Sequence, residues 1–403
     1  MHGKLISIHA KGGSLGRLSA ACLLLVSLAA CRRHDFPQYS PNYREYAYVT
    51  NGAGNTVSIY DVVNLRLDRE LPVGINPVAV TASVRRNEVY VINQGVPGTL
   101  GSVTVINAEN NSVAAAIPVH RQPAALALAP EGDLVYVANT ASNNVSVLDM
   151  KDRREVFAIG TGEEPVAVRV SPDGKTLVVA NRRGNSVSLI DLSGRPQDQT
   201  VRSVISGCPG ASDVAILPDS SKAFVACSEG HQILAISLAH PAGKPAPADA
   251  AQPDRVEALL DVGHQPAQLA LKPDGGEIFV VNAQSDSISE VITGTDDVQG
   301  AYLIGANPAH GIVSADNAYV YVSNGRSQEV GVYAIDDGKR LGSIRVGDGP
   351  SALAFSAAGH LLFVVDARSN DVAVVRTSSR SLFTLLPAGR GPNAIAVKAF
   401  KLP

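Results

Sequence analysis

Two anchors that each recur eight times, with short β-branched runs and no helical apolar period between them, predict an all-β chain. The expected architecture is a single β-propeller of eight four-stranded blades, its ring closed by the C-terminal strand. The first anchor is a Tyr-Val-x-Asn tetrapeptide, whose last position falls at Asn51, Asn93, Asn139, Asn181, Cys227, Asn282, Asn324 and Asp366. Spacings of 42 to 55 residues separate them, enough for four short strands and their turns. The second anchor is a Gly-x-x-Pro turn, with its proline position at Pro77, Pro123, Pro165, Ala211, Pro266, Pro308, Pro350 and Pro392. Composition agrees: 36 Gly and 24 Pro supply turns, and charged residues are only 18%. The chain has no Trp, which counts against WD-type repeats.

The elements follow in order. Residues 1–17 carry Lys4, Lys11 and Arg17 and no acid, and an apolar run of signal-peptide length, 18–30, follows. The run ends in Leu28-Ala-Ala-Cys31, which resembles a bacterial lipobox. The resemblance implies that Cys31 is diacylated and becomes the mature N-terminus. Because Arg32, not Asp, follows it, the bacterial sorting rule implies an outer-membrane lipoprotein facing the periplasm or cell surface. Residues 31–45, polar and Pro-containing, read as a tether, and 46–400 as the propeller. Three basic residues and no acid precede Cys31, so the mature chain carries 31 basic residues against 37 acidic ones, a balance of −6. That balance excludes a basic nucleic-acid binder.

Each unit reads as four strands bounded by Gly, Pro, Asn and Asp, as in Gly162-Glu-Glu-Pro165 through Asn181 and on to Ser186-Val-Ser-Leu-Ile-Asp191. The first unit starts at its second strand, Tyr46–Asn51, and the last residues, Gly391-Pro-Asn-Ala-Ile-Ala-Val397, form a lone first strand. The C-terminus is therefore expected to complete the first blade. Tyr48-Val-Thr-Asn51, Tyr136-Val-Ala-Asn139 and Tyr321-Val-Ser-Asn324 resemble the YVTN family of propeller repeats. That family commonly has seven blades, the alternative to the eight counted here. The resemblance covers nearly all of the mature chain and implies the fold; its members host many roles.

The Gly-x-x-Pro turns and the loops after each Asn belong to one face, here the top. Arg182, Arg183, Arg368 and Arg390 lie on it and are candidates for a positive rim around the channel. Two residues after each proline position the units carry Ala79, Ala125, Ala167, Asp213, Gln268, His310, Ala352 and Ala394. Small residues fit the narrow axis; Asp213, Gln268 and His310, in consecutive blades, form a candidate ligand site, with Asp213 expected to hold a His310 tautomer. The segment 94–101 reads as a surface insertion, and 238–254, Pro- and Ala-rich, as a mobile loop in blade five. Of four cysteines, Cys22 leaves with the signal and Cys31 is lipidated. Cys208 and Cys227 then pair across one edge of blade five, helped by a turn that reads as two residues longer than its equivalents.

No haem-attachment, zinc-hydrolase, nucleophile-elbow, EF-hand or phosphate-loop motif occurs, so no cofactor, no metal site and no catalytic residue is expected. The expected function is a non-enzymatic binding or interaction scaffold for an envelope protein, a glycan or a small ligand, touching the membrane only through its lipid. The alternative is a lactonase-like hydrolase with its site on the axis.

Overall fold

The computed structural model describes residues 37–239 and 253–402. The expected leader, Cys31, and most of the Pro/Ala-rich loop lie outside the described residues. Among these, 32 strands form eight four-stranded antiparallel sheets, with two short 3-10 helices, Thr140–Ser142 and Pro196–Asp198. Seven blades are continuous: 77–121, 123–160, 165–206, 211–261, 266–303, 308–345 and 350–387. The first combines strands from 43–72 with the C-terminal strand, Pro392–Lys401. The strand beginning at each proline position is innermost and touches its equivalents in the neighbouring blades, completing a ring around an axial channel.

Why the second strands are continuously apolar follows from the packing. Side chains alternate between the two faces of a strand, and each face of a blade is covered by a different neighbour. Val178 and Ala180 pack with Val214 and Val225 of the next blade, whereas Leu177 and Val179 pack with Tyr136 and Ala138 of the preceding one. With both faces buried, no polar alternation is tolerated, and Tyr48, Tyr90 and Phe224 are among the largest fully buried side chains.

Closure is antiparallel, from Tyr43 opposite Lys401 to Asn51 opposite Pro392. The first strand is Tyr43–Asn51, three residues longer at its start than the sequence boundary, because pairing with the long C-terminal strand continues there. Glu45, buried, fixes this end: its Oε1 accepts the Ala357 N–H at 2.6 Å.

Within a blade, the two sequence anchors meet. Asn181 Nδ2 donates to Ser188 Oγ at 2.9 Å, and Asn51, Asn93, Asn139 and Asn282 bond their third strands in the same way. The Asn side chain also lies flat against the glycine three residues before the proline. A Cβ on Gly162 would sit 2.8 Å from Asn181 Cγ, and one on Gly74 2.6 Å from Asn93 Cγ. That approach, rather than a special φ, requires glycine there. Blade five replaces the pair covalently. Cys208 stands in the glycine position and Cys227 in the asparagine position, and they form a disulfide with Cα atoms 4.8 Å apart and a sequence separation of 19. The expected pairing is therefore observed, but not through a longer turn. Four residues link Ser206 to Ala211, as four link Gly160 to Pro165. In the chain-entropy account a loop this short stabilises by roughly 3 kcal/mol.

Blade eight varies the pair differently. Asp366 replaces Asn, accepts the Gly347 N–H at 3.0 Å, and sits against Asp371. Burial first, then the neighbouring Asp371, pushes the Asp366 carboxyl up to about 8, so at neutral pH it keeps its proton and can donate as the amide does. A folded value above the unfolded one of about 3.9 means that this contribution is complete at acid pH and lost as pH rises through about 8.

Two outcomes follow. Removing residues 391–403 exposes the edge of blade one, and its melting temperature should fall by more than about 10 °C; a truncated chain that melts like the full one contradicts the closure. Asp366→Asn restores the repeat's donor, so the variant should gain on the order of 1–2 kcal/mol over the parent at pH 8 and nothing at pH 4. Urea titrations at both pH values check this, and identical pH profiles would refute a protonated Asp366.

Candidate functional site

A propeller's innermost strands pair on one side only. Their axial edge presents N–H and C=O groups that must find side chains or water. Here many find a side chain from the neighbouring blade. Asn393 Nδ2 donates to Pro77 O at 2.9 Å, Thr140 Oγ1 to Pro165 O at 2.8 Å, and Ser212 Oγ to Pro266 O at 3.2 Å. In most blades a β-bulge just after the proline position shifts the register at this point.

The three polar residues predicted for the channel layer do lie in consecutive inner strands, and two serve this edge. Asp213 Oδ2 accepts the Leu269 N–H at 3.0 Å, and Gln268 Oε1 accepts the Gly311 N–H at 2.8 Å, while Gln268 Nε2 donates to Leu269 O at 2.9 Å. Each thus reaches from its own blade to the fourth residue of the next inner strand. His310 is the next member of the series and breaks it. Its backbone N–H donates to Ser323 Oγ at 3.2 Å, but Nδ1 is buried without a partner. Asp213 does not hydrogen-bond His310. Its second oxygen faces the Arg169 guanidinium at 3.6 Å instead, because Gln268 and its blade stand between the two. Burial lowers the His310 pKa, Asp213 opposes this and Arg169 adds to it, so the ring is neutral near pH 7.

Arg169 is the member of the candidate site that sequence reasoning missed. It stands two residues beyond Ala167 on the same inner strand, its side chain half exposed, with one guanidinium nitrogen on Val168 O at 3.2 Å. The signal was available one layer deeper: the equivalent positions are Thr81, Ala127, Ala215, Ala270, Ile312, Ala354 and Ala396, and Arg169 alone is charged. Arg169, Asp213, Gln268 and His310 form one polar sector across blades four to seven; the corresponding layer elsewhere is alanine. Chemically the sector offers a cation, a carboxylate and a neutral imidazole.

The predicted Arg rim is more dispersed. Arg182 faces Glu164 at 3.7 Å, Arg368 pairs with Asp348 at 2.8 Å and bonds Gly325 O, Arg390 bonds Ala53 O, and Arg183 lines a shallow cleft with Glu163 and Glu164. Charges of both signs alternate, so no single positive mouth forms. Above the polar sector, between blades five and six, lies a cleft of about 650 Å³ lined by Arg182, Ser212, Glu229, His231, Gln265 and Gln284. Among the described residues no three His, Cys, Asp or Glu side chains gather as a metal shell would.

Comparisons with known proteins agree with this architecture. A family model of YNCE-like β-propellers matches residues 71–259, and one of seven-bladed lactonase β-propellers matches residues 290–385. No curated protein matches the chain. Among solved structures, dihydro-heme d1 dehydrogenase NirN in complex with DHE is similar at a TM-score of 0.71 and 18% identity, over 90% of this chain and 76% of that one. Apo AztD from Citrobacter koseri is similar at 0.67 and 14%, over 89% and 98%. A putative 6-phosphogluconolactonase from Bacteroides uniformis ATCC 8492 is similar at 0.57 and 17%, over 80% and 98%. At these identities the likenesses show the fold. The chain is a β-propeller, and its eight blades exceed the seven of the matched lactonase type.

Proposed function

We propose that this chain is a YVTN-type, lipid-anchored propeller of the bacterial cell envelope that binds a polar ligand at the top of its channel and does not transform it. The observation that carries the reading is His310. In a layer where Asp213 and Gln268 spend their acceptors on backbone N–H groups, its Nδ1 is shielded and has no partner. An unsatisfied buried polar group costs about 1–3 kcal/mol, and a ligand that supplies a donor recovers that cost. Arg169 and Asp213, facing each other at 3.6 Å without a close hydrogen bond, can turn to a ligand's own charges. The lipobox-like Leu28-Ala-Ala-Cys31 supports anchoring through Cys31 to the outer membrane. A glycan, an envelope protein segment or a small metabolite meets the requirement for mixed donors and acceptors.

A second reading, lactone hydrolysis, is favoured by one observation: the lactonase-type match spans 290–385 and therefore includes His310. It requires a base at the axis, and the sector offers two candidates, the neutral imidazole of His310 and the Asp213 carboxylate, the latter already engaged by Leu269 N–H and Arg169.

The two readings separate in one set of assays on the mature protein and its His310→Ala and Asp213→Asn variants. For binding, a thermal-shift screen of saccharides and small polar metabolites should yield ligands that raise the parent's melting temperature. The shift should be lost in His310→Ala and kept in Arg390→Ala. With 6-phosphogluconolactone, all forms should show only the uncatalysed rate. Hydrolysis by the parent that disappears in His310→Ala establishes the second reading instead. Cys31→Ser should move the protein from the membrane to the soluble periplasmic fraction.

A further inference from the structure

On the face opposite the candidate site, neighbouring blades are tied near their outer edge by another recurring contact. The turn between the third and fourth strands carries a residue that reaches the large side chain of the preceding blade. Tyr48 Oη donates to Asn111 Oδ1 at 2.6 Å, and Gln199 Nε2 donates to Tyr136 Oη at 3.1 Å. Between blades seven and eight the equivalent residues are Tyr321 and Arg380. Arg380 has the same left-handed backbone as Asn111, with φ of 49° against 52°, yet the tie is not made.

A cavity of about 310 Å³ opens there instead. Three rings wall it in edge-to-face sequence. Tyr319 and Tyr321 have centroids 6.4 Å apart at 65°, and Tyr321 and Phe355 5.6 Å apart at 84°. Arg380 lines one side, its guanidinium 5.6 Å from the Tyr319 centroid, and makes no hydrogen bond or ion pair among the described residues. Asp316 lines it as well. Its Oδ1 accepts Ser314 Oγ at 2.5 Å and the Ala318 N–H at 3.1 Å, while no other side chain reaches Oδ2 among the described residues. Two opposite charges thus line one small aromatic-walled space, and no ion pair joins them among the described residues.

We propose that this cavity is a second binding site, for a small zwitterion with a flat apolar body, the chemistry of an aromatic α-amino acid. The carboxylate pairs with Arg380, whose planar fork suits it. The ammonium pairs with Asp316 Oδ2. The ring lies against Tyr319, Tyr321 and Phe355 in the offset or edge-on geometry that aromatic groups prefer. The volume is at the lower end of small-molecule sites, which suits one amino acid and excludes a peptide or an oligosaccharide.

Calorimetric titration of the full mature chain with L-phenylalanine and with L-tyrosine tests this. Saturable binding is expected. It should weaken by about tenfold or more in Arg380→Gln and in Asp316→Asn, both exposed positions outside the core, and remain unchanged in His310→Ala. Against the parent, 3-phenylpropionate, which lacks the ammonium, and phenethylamine, which lacks the carboxylate, should each bind at least about tenfold more weakly. No saturable binding up to millimolar concentrations overturns the proposal. So does binding that survives Arg380→Gln, or equal affinity for either analogue.

Discussion

The contact on which the rest of this structure depends is the one between the asparagine that ends each second strand and the glycine that leads into each first strand. It ties three strands at one point: the amide bonds the third strand, and its flat face leaves no room for a Cβ on the turn. Because that point recurs at the top of nearly every blade, it fixes where each inner strand begins and hence which residues reach the channel. The departures mark where the ring does something different. Blade five makes the tie covalent through Cys208 and Cys227, and blade eight makes it depend on a proton through Asp366. In blade three His120 takes the glycine position and turns to Glu155 at 3.2 Å.

Fixing the inner strands creates a second constraint. Eight strand edges face the axis, and the fold satisfies several of them by lending a side chain from blade to blade. A channel lined with alanine needs little more than water. The polar side chains on one arc differ: Asp213 and Gln268 cap backbone, whereas His310 Nδ1 is buried without a partner. This asymmetry within an eightfold frame is the physical basis for placing the proposed binding site on the arc of blades four to seven.

Much of this was legible in the sequence, and for a definite reason. Anchors such as Asn51 and Pro77 recur because each sits in a contact that tolerates one residue type, so their spacing reads out the blade count and the closing strand directly. Cys208 and Cys227 were recognisable as a pair because both depart from those anchors in one blade. What the sequence concealed depends on neighbours distant along the chain. The partner of Asp213 is a backbone N–H 56 residues on, at Leu269, and Arg169 on the adjacent blade competes for it; neither is visible from spacing within one repeat. The rim arginines looked like one field because their acidic partners, Glu164 and Asp348, lie in other segments of the repeat. The cavity beside Tyr321 arises from a tie that fails, and the strand pattern there is unbroken.

The state of His310 tests the account most directly. With histidine selectively labelled with ¹⁵N, long-range proton–nitrogen spectra of the mature protein across pH report each ring separately. The account predicts that His310 remains neutral below the ordinary imidazole range of about 6.5, because burial, and Arg169 after it, oppose a charge more than Asp213 favours one. A His310 ring that titrates in the ordinary range would contradict the picture of a shielded nitrogen held open for a ligand.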